Sequence, residues 1–279
     1  MFPNPSAPPQ PPPPTPPSAT DQPREHRLRL PIARPRWTYV FLAINVVLFL
    51  ALTVTGGSEN SENLIRFQAN YAPRVAEGEY WRLLTANFLH IGITHLLFNA
   101  YALYSLGAQV ESLFGHRRFV TMYLLSGICG ATFSFMFTQR LSAGASTSLF
   151  GMFGALAVYF YRFRKELGAL GQQQLINLGL TLLVNVFLGI VNPRIDNWGH
   201  AGGLIGGVAL AWFLCPHYEP VNPFAQAFAS VIPANHKPEL SNGELMDTNS
   251  LYQQRFIVTV FIVALIGLIA LATTLQRPF

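Results

Sequence analysis

Charge is scarce in this chain. Of its 279 residues only 11% are Asp, Glu, Lys or Arg, against about 25% in an ordinary water-soluble domain. Cysteine is nearly missing too. Cys129 and Cys215 both fall inside apolar runs, so there is neither a disulfide framework nor a CxxC metal pair, and no redox compartment is indicated. The N-terminal stretch lacks an apolar core behind a basic start, which argues against a secretory leader. No internal repeat is visible, and acidic residues hardly enter the apolar runs, Glu111 being the main exception. Both absences weigh against a transporter or channel that carries its cargo along His95, Asn99 and His200. His90 and His95 stand five apart without an HExxH pattern. Helical geometry therefore does not bring them to one metal face, and a zinc protease is disfavoured.

Apolar residues, in contrast, make up about half of the chain, 51%. They gather into seven runs, at 37–55, 94–114, 119–138, 147–161, 175–191, 198–215 and 256–274. Several approach the roughly 20 residues that span a bilayer, so the expected fold is all-α, a polytopic membrane helix bundle. The net charge of +5 is better read by location than as a nucleic-acid signal. Residues 1–23 are proline-rich and read as a stiff solvated tail, with a ligand for a proline-recognition module as the alternative. Arg24, Arg27, Arg29, Arg34 and Arg36 crowd just before the first run and place the N-terminus in the cytoplasm. His116-Arg117-Arg118 and Arg162, Arg164 and Lys165 then fall on the same side, and the C-terminus falls outside. A long outer loop, 56–89, mixes Arg66, Arg74 and Arg82 with Glu59, Glu62, Glu77 and Glu79. The expected division is an arm with a basic juxtamembrane segment (1–36), a six-helix core (37–216), a cytoplasmic linker (217–253) and a detached seventh helix with a short outer tail (254–279).

In this topology the second, fourth and sixth helices run in one direction, which allows their depths to be compared. Ser146 lies sixteen residues above Arg162, roughly 24 Å at 1.5 Å per residue, inside a hydrocarbon core about 30 Å thick. His200 lies sixteen residues above Pro216, and Asn99 sixteen above Gly115. Three helices thus bring a serine, a histidine and an amide to one level, with His95 a turn above Asn99 on the same face. Alone, each has an ordinary explanation. A membrane serine commonly bonds back to its own helix, a buried histidine or asparagine commonly joins two helices, and an aromatic such as Phe150 commonly fills a core. Together they are the parts of acyl-transfer chemistry, set where polar groups are costly. Gly151, Gly154 and Ala155 in the fourth run, and Gly199, Gly202, Gly203, Gly206 and Gly207 in the sixth, have the spacing that lets helix backbones approach. The same spacing serves generic membrane packing.

These residues resemble the rhomboid family of intramembrane serine proteases over about residues 37–215. Trp81-Arg82 resembles the family's outer-loop pair. His90, His95 and Asn99, in His-x4-His-x3-Asn spacing, resemble its second-helix motif. Glu111-x3-Gly115 resembles its inner-end motif, Gly144-Ala145-Ser146 its nucleophile motif, and Gly199-His200-Ala201-Gly202-Gly203 its base motif. The seven runs resemble its six-plus-one layout. The resemblance implies a dyad of Ser146 as nucleophile and His200 as base and then acid. The oxyanion hole would be formed by His95, Asn99 and the Ser146 N–H. It further implies that Phe150 stacks on His200, that His90 braces the outer loop, and that no metal or cofactor takes part. Implied substrates are single transmembrane protein segments cut near their outer end, with the fifth helix as a lateral gate. Thr147 departs from the glycine that often follows the nucleophile, and its branched side chain could crowd the oxyanion site.

Hydrolysis needs water that hydrocarbon excludes, so such a site must open outward as a polar cavity. The competing reading is a non-catalytic relative that binds and escorts membrane helices. Such relatives typically lack the serine or the histidine, and this chain has both. The expected setting is a bacterial plasma membrane, with the lipid bilayer as partner, no nucleic acid, and an oligomeric state the sequence leaves open.

Overall fold

A computed structural model describes residues 32–220 and 245–276. The proline-rich arm, Arg24, Arg27 and Arg29 lie outside the described residues, as does most of the linker. The described chain is a bundle of helices. They are α1 (Trp37–Thr55), the short α2 (Ser61–Arg66), α3 (Ala72–Ala76) and α4 (Arg82–Thr85) of the first connecting segment, and α5 (Ile93–Ala102). A π-helical turn, Leu103–Gly107, joins α5 to α6 (Ala108–Phe114). Next come α7 (His116–Phe137), α8 (Ser146–Arg162), α9 (Arg164–Val191), α10 (Asn197–Leu214) and, after the linker, α11 (Arg255–Gln276).

Each expected apolar run forms a helix, but the helices differ in how they meet lipid. By length and composition α1, α7, α9 and α11 can each cross a membrane, and a fifth span results if Arg82–Phe88 and Ile93–Phe114, which meet at 91°, are taken together. Neither α8 nor α10 is among them. With 17 residues, α8 is roughly 25 Å long. Thirteen of those residues, from Thr147 to Phe160, are buried by protein. Its sequence answers to neighbouring helices more than to lipid. At the other extreme, α9 has only 11% of its span buried. It also begins at Arg164 rather than near residue 175, as its polar first turns had suggested, and breaks at Gly168, whose φ is +53°.

The start of α1 is fixed by a distant residue. No side chain caps this helix locally. Instead the fully buried Glu111 takes that role. Its Oε1 accepts from the Arg36 and Trp37 N–H groups, both at 2.9 Å, and its Oε2 from the Thr38 N–H at 2.8 Å and the Thr38 Oγ1–H at 2.7 Å. A carboxylate at a helix N-terminus satisfies orphan donors and meets the positive end of the helix dipole. His116 Nδ1, 2.6 Å from Oε1, completes the cluster.

The expectation of a detached seventh helix is corrected by its contacts. The linker ends pair as two antiparallel strands, β1 (Tyr218–Pro220) and β2 (Leu245–Asp247). Asp247 bonds Arg118 of α7 at 2.6 Å. Asn249 Nδ2 donates to the carbonyls of Phe213 and Cys215 at 2.8 and 2.6 Å, covering the C-terminus of α10. At its far end α11 buries Ala272 against Ala72, Val75, Leu83, Ala131 and Phe135, and Gln276 Nε2 donates to the Met136 carbonyl at 2.8 Å.

The centre of the bundle is where α10 enters between α7 and α8. Glycines line both sides of it. A Cβ on Gly203 would lie 2.0 Å from the Thr147 carbonyl oxygen of α8, and one on Gly207 would lie 2.2 Å from the Gly151 carbonyl oxygen. On the other side, Gly202 would meet the Phe133 ring at 2.6 Å and Gly206 the Cys129 Cβ at 3.0 Å. Gly203→Ala forces backbone apart from backbone, a misfit that costs about 1–3 kcal/mol or more. Its thermal midpoint in detergent should fall by several degrees. Gly267→Ala in α11, where a Cβ meets nothing within 4 Å, should leave the midpoint unchanged.

Candidate active site

Ser146 and His200 stand on the two helices that touch backbone to backbone. Ser146 is the first residue of α8 and His200 the fourth of α10. The His200 ring stacks on Phe150 with centroids 4.0 Å apart and planes 12° from parallel. Phe150 is four residues beyond Ser146, so the two share a face of α8, and the stack turns the imidazole toward that face. Both Ser146 and His200 are half-buried. Among the described residues Ser146 Oγ makes no hydrogen bond.

The chain before Ser146 is tightly constrained. Gly144 has φ +140°, a conformation side chains rarely adopt, and a Cβ there would sit 2.6 Å from His95 Cε1 and 2.8 Å from His95 Nε2. The imidazole of His95 therefore lies directly on the chain segment leading into the serine. Its Nδ1 accepts the Ile91 N–H at 3.4 Å. An acceptor at Nδ1 assigns the ring proton to Nε2, the nitrogen beside Gly144. No side chain caps α8, so its first N–H groups, that of Ser146 among them, are free of intrahelical bonds and carry the positive end of the helix dipole. Asn99 is buried one turn below His95. Its Nδ2 donates to the His95 carbonyl at 2.9 Å, which leaves one amide hydrogen for another acceptor.

The remaining sequence candidates are structural neighbours of this cluster or distant from it. His90, fully buried, presents Nε2 to the Ala145 N–H at 3.5 Å. Arg82, also buried, bonds Glu79 at 2.6 Å and the carbonyls of Ile65 and Ala69 at 2.8 and 3.1 Å. It holds the first connecting segment together and does not reach the serine. Trp81 is exposed, its indole donating to Gln68 at 2.8 Å. Glu111 caps α1, away from Ser146.

Sequence reading missed two residues that hold the site. Asp196 caps α10, with Oδ1 accepting from the Gly199 N–H at 2.9 Å, while its Oδ2 accepts from Ser142 Oγ at 2.7 Å. Ser142 in turn bridges to Asn70, bonding it through both backbone groups at 2.9 and 3.0 Å. An acidic residue just before an apolar run is an N-cap signal, so Asp196 was discoverable. The other is Asn87, whose side chain meets the hydroxyls of Thr147 and Ser148; nothing in its local sequence marked it.

Comparisons with known proteins agree on one relationship. A family model described as a Rhomboid domain matches residues 77–217. The Rhomboid protease GluP of Bacillus subtilis (strain 168) is 44% identical over 175 residues, covering 62% of this chain and 34% of that protein. The Putative rhomboid protease YdcA of the same organism is 34% identical over 182 residues, covering 64% and 82%. RHOMBOID-like protein 5 of Arabidopsis thaliana is 32% identical over 212 residues, covering 73% and 63%. The chain thus spans about a third of GluP and most of YdcA.

The two constraints on Gly144 can be separated. Gly57 also has a positive φ, +93°, but a Cβ there would meet nothing within 4 Å. Gly57→Ala reports backbone strain alone, about 1–3 kcal/mol. Gly144→Ala adds the collision with His95 and should lower the thermal midpoint further than Gly57→Ala does.

Proposed function

The chain belongs to the rhomboid family, and from that premise we propose that it is an intramembrane serine endopeptidase that cleaves transmembrane segments with a Ser146–His200 dyad. The observation that carries this reading is the stack of His200 on Phe150, one turn from Ser146, across helices in backbone contact. In the reaction, Ser146 Oγ attacks the scissile carbonyl and its proton passes to His200. The carbonyl oxygen becomes an anion between His95 Nε2–H, the free Asn99 amide hydrogen and the Ser146 N–H. His200 then protonates the leaving amine, and water hydrolyses the acyl-enzyme by the same steps in reverse. The Ser146 hydroxyl must reach His200 as substrate enters. Catalytic hydrogen bonds commonly tighten only in that complex.

Partial exposure of Ser146 and His200 supports a route for water, and the apolar helices make the chain an integral membrane protein. We take the Ser146 end of the bundle as the outer end, with the N-terminus cytoplasmic, in a bacterial plasma membrane. The residues 37–216 form the proteolytic unit in this reading. The sparse burial of α9 suits it to part from its neighbours and admit a substrate helix.

A serine-reactive fluorophosphonate should label the wild type in liposomes and label neither Ser146→Ala nor His200→Ala. Cleavage of a model transmembrane substrate should fall by at least about a thousandfold in each variant. Substrate turnover retained by Ser146→Ala refutes the assignment. Crosslinking α9 to α5 should block cleavage of membrane-embedded substrates, and unchanged turnover removes the gating role alone.

A further inference from the structure

Asn87 has every hydrogen-bonding position in use. It sits in the 3-10 turn Ala86–Phe88 and is 3% exposed. Its Nδ2 donates to the Leu83 carbonyl at 2.8 Å and the Leu84 carbonyl at 3.2 Å. Those two bonds fix which end of the amide faces α8, since only the oxygen remains to meet the hydroxyls there. Oδ1 accepts from Thr147 Oγ1 and, at 3.4 Å, from Ser148 Oγ. Space for this meeting comes from α7, where a Cβ on Gly127 would lie 2.3 Å from Ser148 Oγ and 2.7 Å from Asn87 Oδ1.

Thr147 carries the contact onward. Its hydroxyl is held by Asn87, and its methyl carbon lies 3.0 Å from the Cβ positions of both Gly130 in α7 and Gly199 in α10. A branched side chain with both arms engaged is locked at χ1. The line Asn87–Thr147–Gly199 therefore joins the connecting segment, the residue after the nucleophile and the residue before the base. The neighbouring chain grips the other side of Ser146, with the Ala86 carbonyl accepting the Gly144 N–H at 2.9 Å. Residues 86 and 87 thus hold both flanks of the serine.

We propose that Asn87 is a positioning residue for the reaction. Acting through Thr147, it sets the spacing of Ser146 from His200. The bulk of Thr147, which otherwise threatens the oxyanion site, becomes a strut once its hydroxyl is bound. This inference rests on the protease reading above, and its test separates the two.

Asn87→Ala removes the acceptor, while Thr147→Val is nearly isosteric and removes only the hydroxyl. Each should lower kcat about tenfold, the worth of one buried hydrogen bond, with KM moving less than about twofold. The double variant should be no slower than either single one, because both break the same link. Thr147→Ser keeps the hydroxyl and should retain more activity than Thr147→Val. Additive losses in the double variant, or a change in KM alone, overturn the proposal. Thermal midpoints of the wild type, Asn87→Ala, Thr147→Val and the double variant read the coupling without substrate, so they report on the Asn87–Thr147 link even if Ser146-dependent cleavage is missing. Non-additive midpoints with no such cleavage defeat the protease reading. Additive midpoints defeat the strut in either case.

Discussion

The whole arrangement depends on two helix backbones being allowed to touch. Where α8 crosses α10, the Thr147 and Gly151 carbonyls face Gly203 and Gly207 at distances that exclude even a methyl group. In a bilayer there is little hydrophobic gain in bringing helices together, so close packing must supply the attraction. That packing has a chemical by-product. It sets Ser146 at the start of one helix and His200 in the first turn of another helix that touches it. The aromatic Phe150 then decides which way the imidazole faces.

A second layer of bonds fixes this geometry from the side. The first connecting segment, with its several short helices, is held by Arg82 and by the Asn70–Ser142 bridge. Ser142 passes the restraint to Asp196 and so to the N-terminus of α10. His90 and Ala86 reach Ala145 and Gly144. The segment thus borders the serine at one end of the bundle. Its bonds, made among its own groups, spare buried backbone from facing hydrocarbon unpaired.

Much of this was legible before any coordinates. Helices stand wherever the apolar runs do, the run at 94–114 being divided between α5 and α6 by a π-helical turn. The glycine spacing pointed to close approach, although only the structure divides those glycines between two faces, Gly203 and Gly207 toward α8 and Gly202 and Gly206 toward α7. Other features could not be read. Glu111 stands 75 residues from the helix start it caps, and no local pattern reports a partner so distant. Asn87 likewise meets a partner 60 residues away, Thr147, which no local pattern reports. The early start of α9 was hidden because Gln172, Gln173 and Gln174 break the apolar pattern without breaking the helix. The docking of α11 was hidden because small residues such as Ala272 signal contact weakly.

The helix α9 meets its own protein sparingly, with Gly171 and Gly189 its buried residues. Toward the connecting turn it is tied to α10 by Asn197, which donates to the Gly189 carbonyl at 2.8 Å. A helix so bare takes much of its tilt from the acyl chains beside it, since mismatch with the hydrocarbon thickness is relieved by tilting. Lipid is thus a structural component of one wall, and chain length in the surrounding membrane becomes a setting of this protein as real as any side chain in its core.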